Sequence, residues 1–250
     1  MDLGCAEFST PGRTLKEKLG VLEKNGMWLE LVNDDRDFSE LPETLASYDT
    51  SIKSVQAYQL HDLQFLSKDK GERKAAVKHV EESLELASRI NAENVIVVIA
   101  YGAPEISNPG EKCVEIFRKL GRVAEDYGVT ASLEPLGIDR TSFLPTMSEV
   151  HNLVREVDSP GIRLMADTMH IHVNENDVAS VINEYASELT EVQLRDTDSK
   201  PPGKGEINFE EVLKVIRDEF NGLLVLEYKI SSNSNEDLSE ELEYVMKNWF

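Results

Sequence analysis

Cysteine is scarce in this chain of 250 residues, which contains only Cys5 and Cys113. The two lie far apart and neither belongs to a Cys-x-x-Cys pair, so a disulfide framework and a thiolate zinc site are excluded. Long apolar runs are also lacking: no segment approaches the roughly 20 residues of a membrane span, and the first residues do not form a signal peptide. We therefore predict a cytoplasmic protein with no membrane partner.

Basic residues are few relative to acidic ones. The chain has 26 Lys and Arg against 47 Asp and Glu, a formal net charge of −21. A surface that repels phosphates lacks the counterion release that drives most nucleic-acid binding, so no nucleic-acid partner is expected. Such acidity more often serves solubility, or adaptation to salt or heat, than recognition of a specific cationic partner.

Short apolar runs rich in β-branched residues alternate with segments of helical spacing. Helical periodicity is clearest at 73–90, 111–127 and 236–249, and no Gly-x-Gly-x-x-Gly turn indicates a dinucleotide-binding fold. Eight such alternations in 250 residues predict a single-domain (β/α)₈ TIM barrel over residues 1–250. The predicted strands, buried on both faces, are 2–8, 27–33, 51–59, 94–100, 129–134, 162–167, 190–195 and 223–228.

Four of these runs carry an oxygen-bearing side chain at the C-terminal end: Glu134, Asp167, Gln193 and Glu227. The C-terminal strand ends form the active-site face of such a barrel, and alternation along each strand turns all four inward. A single Glu at a strand end is more often a solvated loop residue, but four consecutive strands with the same kind of group make coincidence the poorer explanation. Three carboxylates so close need a cation, and oxygen ligands favour Mg²⁺ or Mn²⁺.

Three motifs stand out in the second half of the chain: Glu134-Pro135-Leu136, Asp167-Thr168-Met169-His170 and the segment from Gln193 to Phe209, which contains Pro202-Gly203-Lys204-Gly205. Together they resemble the xylose-isomerase-like TIM barrels, the sugar isomerase/epimerase superfamily that includes tagatose and psicose 3-epimerases, inosose dehydratases, hydroxypyruvate isomerases and endonuclease IV. The resemblance covers nearly the whole chain and is sharpest from 131 to 228. The epimerases have His where this chain has Gln193, whereas hydroxypyruvate isomerase is similar in having Gln.

The resemblance implies one divalent metal ion, Mn²⁺ or Mg²⁺ ahead of Zn²⁺ or Co²⁺, held by Glu134, Asp167, Gln193 and Glu227. It implies isomerisation or epimerisation of a small sugar, sugar phosphate or hydroxy-keto compound through a metal-stabilised enediolate. Glu134 and Glu227 would move the proton on opposite faces of the substrate. The expected partner is a small carbohydrate, and a homodimer stays open. The residues expected to bind substrate are His170, Arg195, His61 and Lys200.

The same residues bear on three alternative functions. An endonuclease IV-like nuclease is disfavoured, because the fourth strand and the loop after the seventh lack the histidines of a three-zinc cluster. An inosose-dehydratase-like lyase stays open, since it shares the first proton abstraction with isomerisation. A non-catalytic metal- or sugar-binding barrel also stays open. His170 serves equally well as a substrate contact or as a support for the metal ligands, and His61 is more often structural or exposed.

Overall fold

Eight parallel strands close into a barrel in the computed structural model, which describes residues 2–230 and 235–250. Each strand pairs with its neighbours in chain order, and the last pairs with the first. The predicted TIM barrel is confirmed, and all eight predicted strands are present. The strands are β1 Leu3–Ala6, β2 Trp28–Asn33, β3 Ile52–Ala57, β4 Asn94–Val98, β5 Thr130–Glu134, β6 Ile162–Asp167, β7 Leu189–Leu194 and β8 Leu223–Leu226.

Helices cover the outside of the barrel and bury their apolar faces against the strands. The predicted helices at 73–90, 111–127 and 236–249 correspond to the helices Lys70–Arg89, Pro109–Tyr127 and Asn235–Trp249. No helix in the described ranges is long and apolar enough to cross a membrane. The helices are α1 Leu15–Lys24, α2 Leu41–Leu45, α3 Lys70–Arg89, α4 Pro109–Tyr127, α5 Met147–Val157, α6 Thr168–Glu175, α7 Val178–Tyr185, α8 Phe209–Glu219 and α9 Asn235–Trp249.

The interior of the barrel has an apolar part and a polar part. Trp28 packs there against Ala6 and Val225, and a Cβ at Gly4 would lie 2.5 Å from the Trp28 ring, so that strand position requires glycine. The polar part crosses the barrel: Asn94 Nδ2 donates to Glu191 Oε2 at 2.9 Å, and Ser132 Oγ donates to Asn94 Oδ1 at 2.6 Å. These buried polar groups lie beneath the C-terminal ends of the strands.

A side-chain clamp joins the two ends of the barrel sequence. Ser9 Oγ donates to the carbonyl oxygen of Tyr228 at 2.7 Å and accepts from the N–H of Tyr228 at 2.8 Å. Ser9 follows β1 and Tyr228 follows β8, so one buried hydroxyl fastens the seam where the ring closes.

Candidate functional site

The four predicted metal ligands all lie at the C-terminal rim of adjacent strands. Glu134 and Asp167 end β5 and β6, Gln193 is the penultimate residue of β7, and Glu227 follows β8 directly. Asp167 stands opposite Gln193 in the ladder, and the N–H of Glu227 donates to Leu194 across the next strand pair. Each of the four residues is at most 7% exposed. The four residues thus lie at one rim, where strand alternation was expected to bring them.

A cavity of about 430 Å³ opens above this rim. Glu134, Glu227 and Arg195 lie among its lining residues, and so does His170. One wall is aromatic: the His61 ring lies 4.9 Å from the Tyr58 ring and 4.6 Å from the Tyr101 ring, measured between centroids. The volume and the mixture of an aromatic wall with polar groups are typical of small-molecule sites.

Arg195 lies between the carboxylates. Its Nη2 is 2.6 Å from Asp167 Oδ2 and 3.5 Å from Glu227 Oε2. Burial alone would raise the pKa of Asp167, but the Arg195 guanidinium holds the pKa of this carboxyl below its usual range. Asp167 Oδ1 accepts the N–H groups of Met169 and His170, so the same residue caps the start of α6.

The other two carboxyls favour their protonated forms. Burial, reinforced by the neighbouring Asp167, raises the pKa of Glu134 to about 8. Burial also raises the pKa of Glu227 well above its ordinary value, although Arg195 opposes that shift. Carboxylic acids buried in this way lose their protons readily only when a cation binds in place of the proton or when a base accepts it.

The amide of Gln193 is held in one orientation. Its Nε2 lies 3.1 Å from both carboxylate oxygens of Glu30, which is fully buried on β2. Gln56 Nε2 also donates to Glu30 Oε1, at 2.7 Å. Since a carboxylate accepts these N–H groups, the carbonyl oxygen of Gln193 must point the other way. Within the described residues that buried oxygen accepts no hydrogen bond, and an orphaned oxygen beside carboxylates fits a divalent ion.

His170 competes with Gln193 as the fourth ligand on distance alone, because ligand atoms of Glu134, Asp167 and His170 lie within 4.8 Å of one another. The hydrogen bonding disfavours His170. Its Nδ1 accepts the N–H of Gly137 at 3.0 Å, and burial lowers the pKa of the ring to about 3, so the ring is neutral. A neutral imidazole that accepts at Nδ1 carries its proton at Nε2, which then has no lone pair for a metal.

Arg195 Nη2 also lies 3.0 Å from His170 Nε2. A neutral ring accepts at only one nitrogen, and the backbone N–H of Gly137 is the fixed donor of the two. We therefore assign the ring proton to Nε2, which lies 3.8 Å from Glu134 Oε1. This arrangement suits donation to a substrate oxygen or to Glu134 better than coordination.

The remaining predicted substrate residues differ in position. His61 lines the cavity and its Nε2 lies 3.3 Å from the Tyr101 hydroxyl. Lys200 is exposed, pairs with Asp198 at 2.9 Å and is not among the residues that line the cavity, so the structure does not bring it to the site. Two residues of the site were not predicted from the sequence: Glu30, which accepts the Gln193 amide, and Arg140, which lines the cavity. Glu30 could have been found as a charged residue at an inward position of an apolar strand.

A parallel eight-stranded barrel with an acidic cluster at the carboxyl ends of its strands defines the class of (β/α)₈ barrel proteins that carry their site on this face. Comparison with known families agrees with that class. The chain belongs to the xylose isomerase-like TIM barrel family, whose sequence model matches residues 23–249.

Known relatives include sugar epimerases. The chain is 30% identical over 118 residues to D-psicose 3-epimerase of Ruminiclostridium cellulolyticum, covering 47% of this chain and 40% of that protein. It is 24% identical over 166 residues to 3-dehydro-D-guloside 4-epimerase of Escherichia coli, covering 62% of this chain and 63% of that one. The alignments thus span less than two thirds of either relative.

Solved structures share the fold. The apo 3-keto-D-glucoside 4-epimerase of E. coli superposes with a TM-score of 0.88 at 18% identity, over 99% of both chains. The IolI protein, solved with a bound zinc atom, superposes with a TM-score of 0.81 at 18% identity, over 100% of this chain and 99% of that one. At such identities the likeness shows the fold alone.

Proposed function

We propose that this chain is a divalent-metal-dependent isomerase or epimerase of a small sugar, sugar phosphate or hydroxy-keto compound. The observation that carries the proposal is the unpartnered Gln193 carbonyl oxygen, buried beside the carboxyls of Glu134, Asp167 and Glu227 at four adjacent strand ends. The sugar epimerases among its relatives support the reaction class.

The donor set fits one hard divalent cation. Glu134, Asp167, Gln193 and Glu227 would hold it with oxygen atoms, which favours Mn²⁺ or Mg²⁺, while the zinc in the IolI structure keeps Zn²⁺ within the proposal. A bound ion of this kind supplies Lewis-acid polarisation of a carbonyl oxygen. Arg195 would keep Asp167 ionised, so this ligand is ready at neutral pH.

The chain's own groups would carry the proton. Glu134 and Glu227 both border the cavity, and each has a pKa raised by burial, Glu134 to about 8. These raised pKa values belong to the metal-free protein; with an ion bound, each carboxylate would keep one oxygen free to take a proton from the carbon next to a carbonyl and to return it. The N–H that we assign to His170 Nε2 would steady an oxygen of the substrate on the Glu134 side.

Deuterium incorporation tests the proposal. The Mn²⁺-loaded protein is incubated in D₂O with a panel of ketoses, ketose phosphates and hydroxy-keto acids, and label at the carbon next to the carbonyl is measured by NMR. We expect exchange that disappears with chelator and falls about 10²–10⁴-fold in Glu134→Gln and in Glu227→Gln. Glu210→Gln, an exposed acid on α8, is the matched control.

Three outcomes would count against the proposal. Exchange that survives both glutamate substitutions would show that other groups move the proton. Loss of water from the substrate after exchange would instead identify a lyase on the same site. Absence of exchange with every compound, in protein shown by calorimetry to bind Mn²⁺, would refute the enzymatic proposal.

A further inference from the structure

The charge of the cavity differs from that of the rest of the chain. Acidic residues outnumber basic ones by 47 to 26 overall, yet the cavity lining contains as many basic as acidic side chains. A pocket that carries a divalent ion in addition would therefore be far less hostile to an anion than the outer surface. The charged lining residues are Glu7, Asp34, Glu134 and Glu227 with Lys18, Arg36, Arg140 and Arg195.

Three of the four basic side chains are already committed to carboxylates. Arg36 Nη2 lies 2.5 Å from Glu7 Oε2, and Lys18 Nζ lies 3.8 Å from Glu7 Oε1. Arg195 is engaged by Asp167 and Glu227, as described above. Their charges are balanced within the protein, so a ligand has little to gain from them.

Arg140 is different. Across residues 2–230 and 235–250, no carboxylate forms an ion pair with its guanidinium. The Tyr101 hydroxyl is a hydrogen-bonding neighbour, and the positive charge acts on Glu134 only at longer range. Its positive charge also reaches His61 and lowers the pKa of that ring, after the larger effect of burial. An arginine without an acidic partner on the wall of a partly enclosed cavity is placed to meet a charge from outside the chain.

The backbone holds Arg140 firmly in this position. Its N–H donates to the Gly137 carbonyl at 2.8 Å, and its own carbonyl accepts from the N–H of Gly102 at 2.7 Å. The next residue, Thr141, is buried and bridges to Gly102 as an isolated β-bridge. The loop after β5 is thus tied to the loop after β4, and a guanidinium on a fixed backbone loses less freedom when it binds.

We propose that the substrate carries an anionic group, a carboxylate or a phosphate, away from its reacting carbonyl, and that Arg140 binds this group beside Tyr101 and His61. The inference rests on the proposed function and narrows its substrate class. The guanidinium provides paired N–H donors that match the oxygens of either anion. The aromatic wall of Tyr58, His61 and Tyr101 would cover the carbon skeleton between the anion and the metal.

Matched compounds and matched variants test the inference. Deuterium exchange is measured with a neutral ketose, the same ketose carrying a terminal phosphate, and the corresponding keto sugar acid, for the wild type, Arg140→Met and Arg140→Lys. We expect a lower KM for a charged compound in the wild type, and a 10- to 100-fold loss of that preference in Arg140→Met. Arg140→Lys keeps part of it, and whichever anion shows the larger loss identifies the group.

The control is Arg122→Met, which removes an exposed arginine on α4 and should leave the preference unchanged. The inference is overturned if the wild type does not prefer charged compounds, or if Arg140→Met keeps the full preference. In either case, exchange of the neutral ketose would leave the proposed isomerase intact. No exchange with any compound would refute the isomerase, and this inference with it.

Discussion

Replacing Glu30 by Gln should weaken metal binding although Glu30 is not a predicted ligand. In the wild type two amide groups, those of Gln193 and Gln56, donate into the two oxygens of one carboxylate. Glutamine offers a single carbonyl oxygen and brings an NH₂ group of its own. Because Gln193 Nε2 contacts both oxygens of Glu30, the new NH₂ group faces it in either orientation, and the Gln193 amide can turn its own NH₂ toward the metal position.

The magnitude follows from the role of groups that orient metal ligands. Their loss typically lowers metal affinity 10- to 100-fold, which corresponds to about 1.4–2.8 kcal/mol. Isothermal titration calorimetry of chelator-treated protein with Mn²⁺ measures this directly, without requiring a substrate. Near-UV circular dichroism of the same samples checks that the barrel stays folded.

A double-mutant cycle separates orientation from simple loss of charge. If Glu30 acts through the Gln193 amide, Glu30→Gln should cost little further affinity in a Gln193→Ala background. A purely electrostatic effect of the buried carboxylate would persist in that background. Equal losses in both backgrounds, or wild-type affinity in Glu30→Gln alone, would refute the reasoning.

Two further predictions concern pH and stability. The pKa of Glu134 is raised from 4.5 to about 8, so below that pH a metal must displace a proton. Apparent Mn²⁺ affinity, measured by calorimetry, should therefore fall up to about tenfold per pH unit between pH 8 and pH 6. An affinity that does not change with pH would contradict this. In metal-free protein the same shift contributes stability below about pH 4.5 that is lost as the pH rises through 8. Ser9→Ala should lower the free energy of unfolding in urea by about 2–4 kcal/mol, because it leaves two buried backbone groups of Tyr228 unpaired. The half-buried Ser88, whose hydroxyl makes one solvent-exposed hydrogen bond, is the control, and Ser88→Ala should cost under about 0.5 kcal/mol. Similar losses in both variants would contradict the role given to the Ser9–Tyr228 contact.

The fold could be predicted because strand and helix periods alternate cleanly along the chain, but the strand ends could not. The run 2–8 was expected to be one strand, whereas β1 stops at Ala6 and Glu7–Ser9 form a 3₁₀ turn. Glu7 leaves the ladder because its carboxylate accepts the N–H of Val32 and pairs with Arg36. The run 51–59 ends early in the same way, with Tyr58–His61 turning into the cavity wall.

In the candidate site, too, the residues on strands could be predicted and the residue on a loop could not. Alternation on β5 to β8 suffices to bring Glu134, Asp167 and Gln193 to one rim, since a strand fixes the direction of each side chain. Arg140 gave no such signal, because its position depends on a loop-to-loop contact with Gly102. Local sequence does not encode a contact between residues so far apart in the chain, and the assignment of a fourth ligand likewise needed the hydrogen bonds of His170.

The contact between Ser9 and Tyr228 bears on when the proposed metal site forms during folding. These residues are 219 positions apart, so their contact closes a loop of nearly the whole chain and is entropically expensive to form early. Glu227 is covalently next to Tyr228, and its N–H donates to Leu194 on β7, so this residue joins the rim when β8 docks. The proposed ion-binding site is therefore incomplete until this last strand docks, and uptake of a metal during refolding would mark that step.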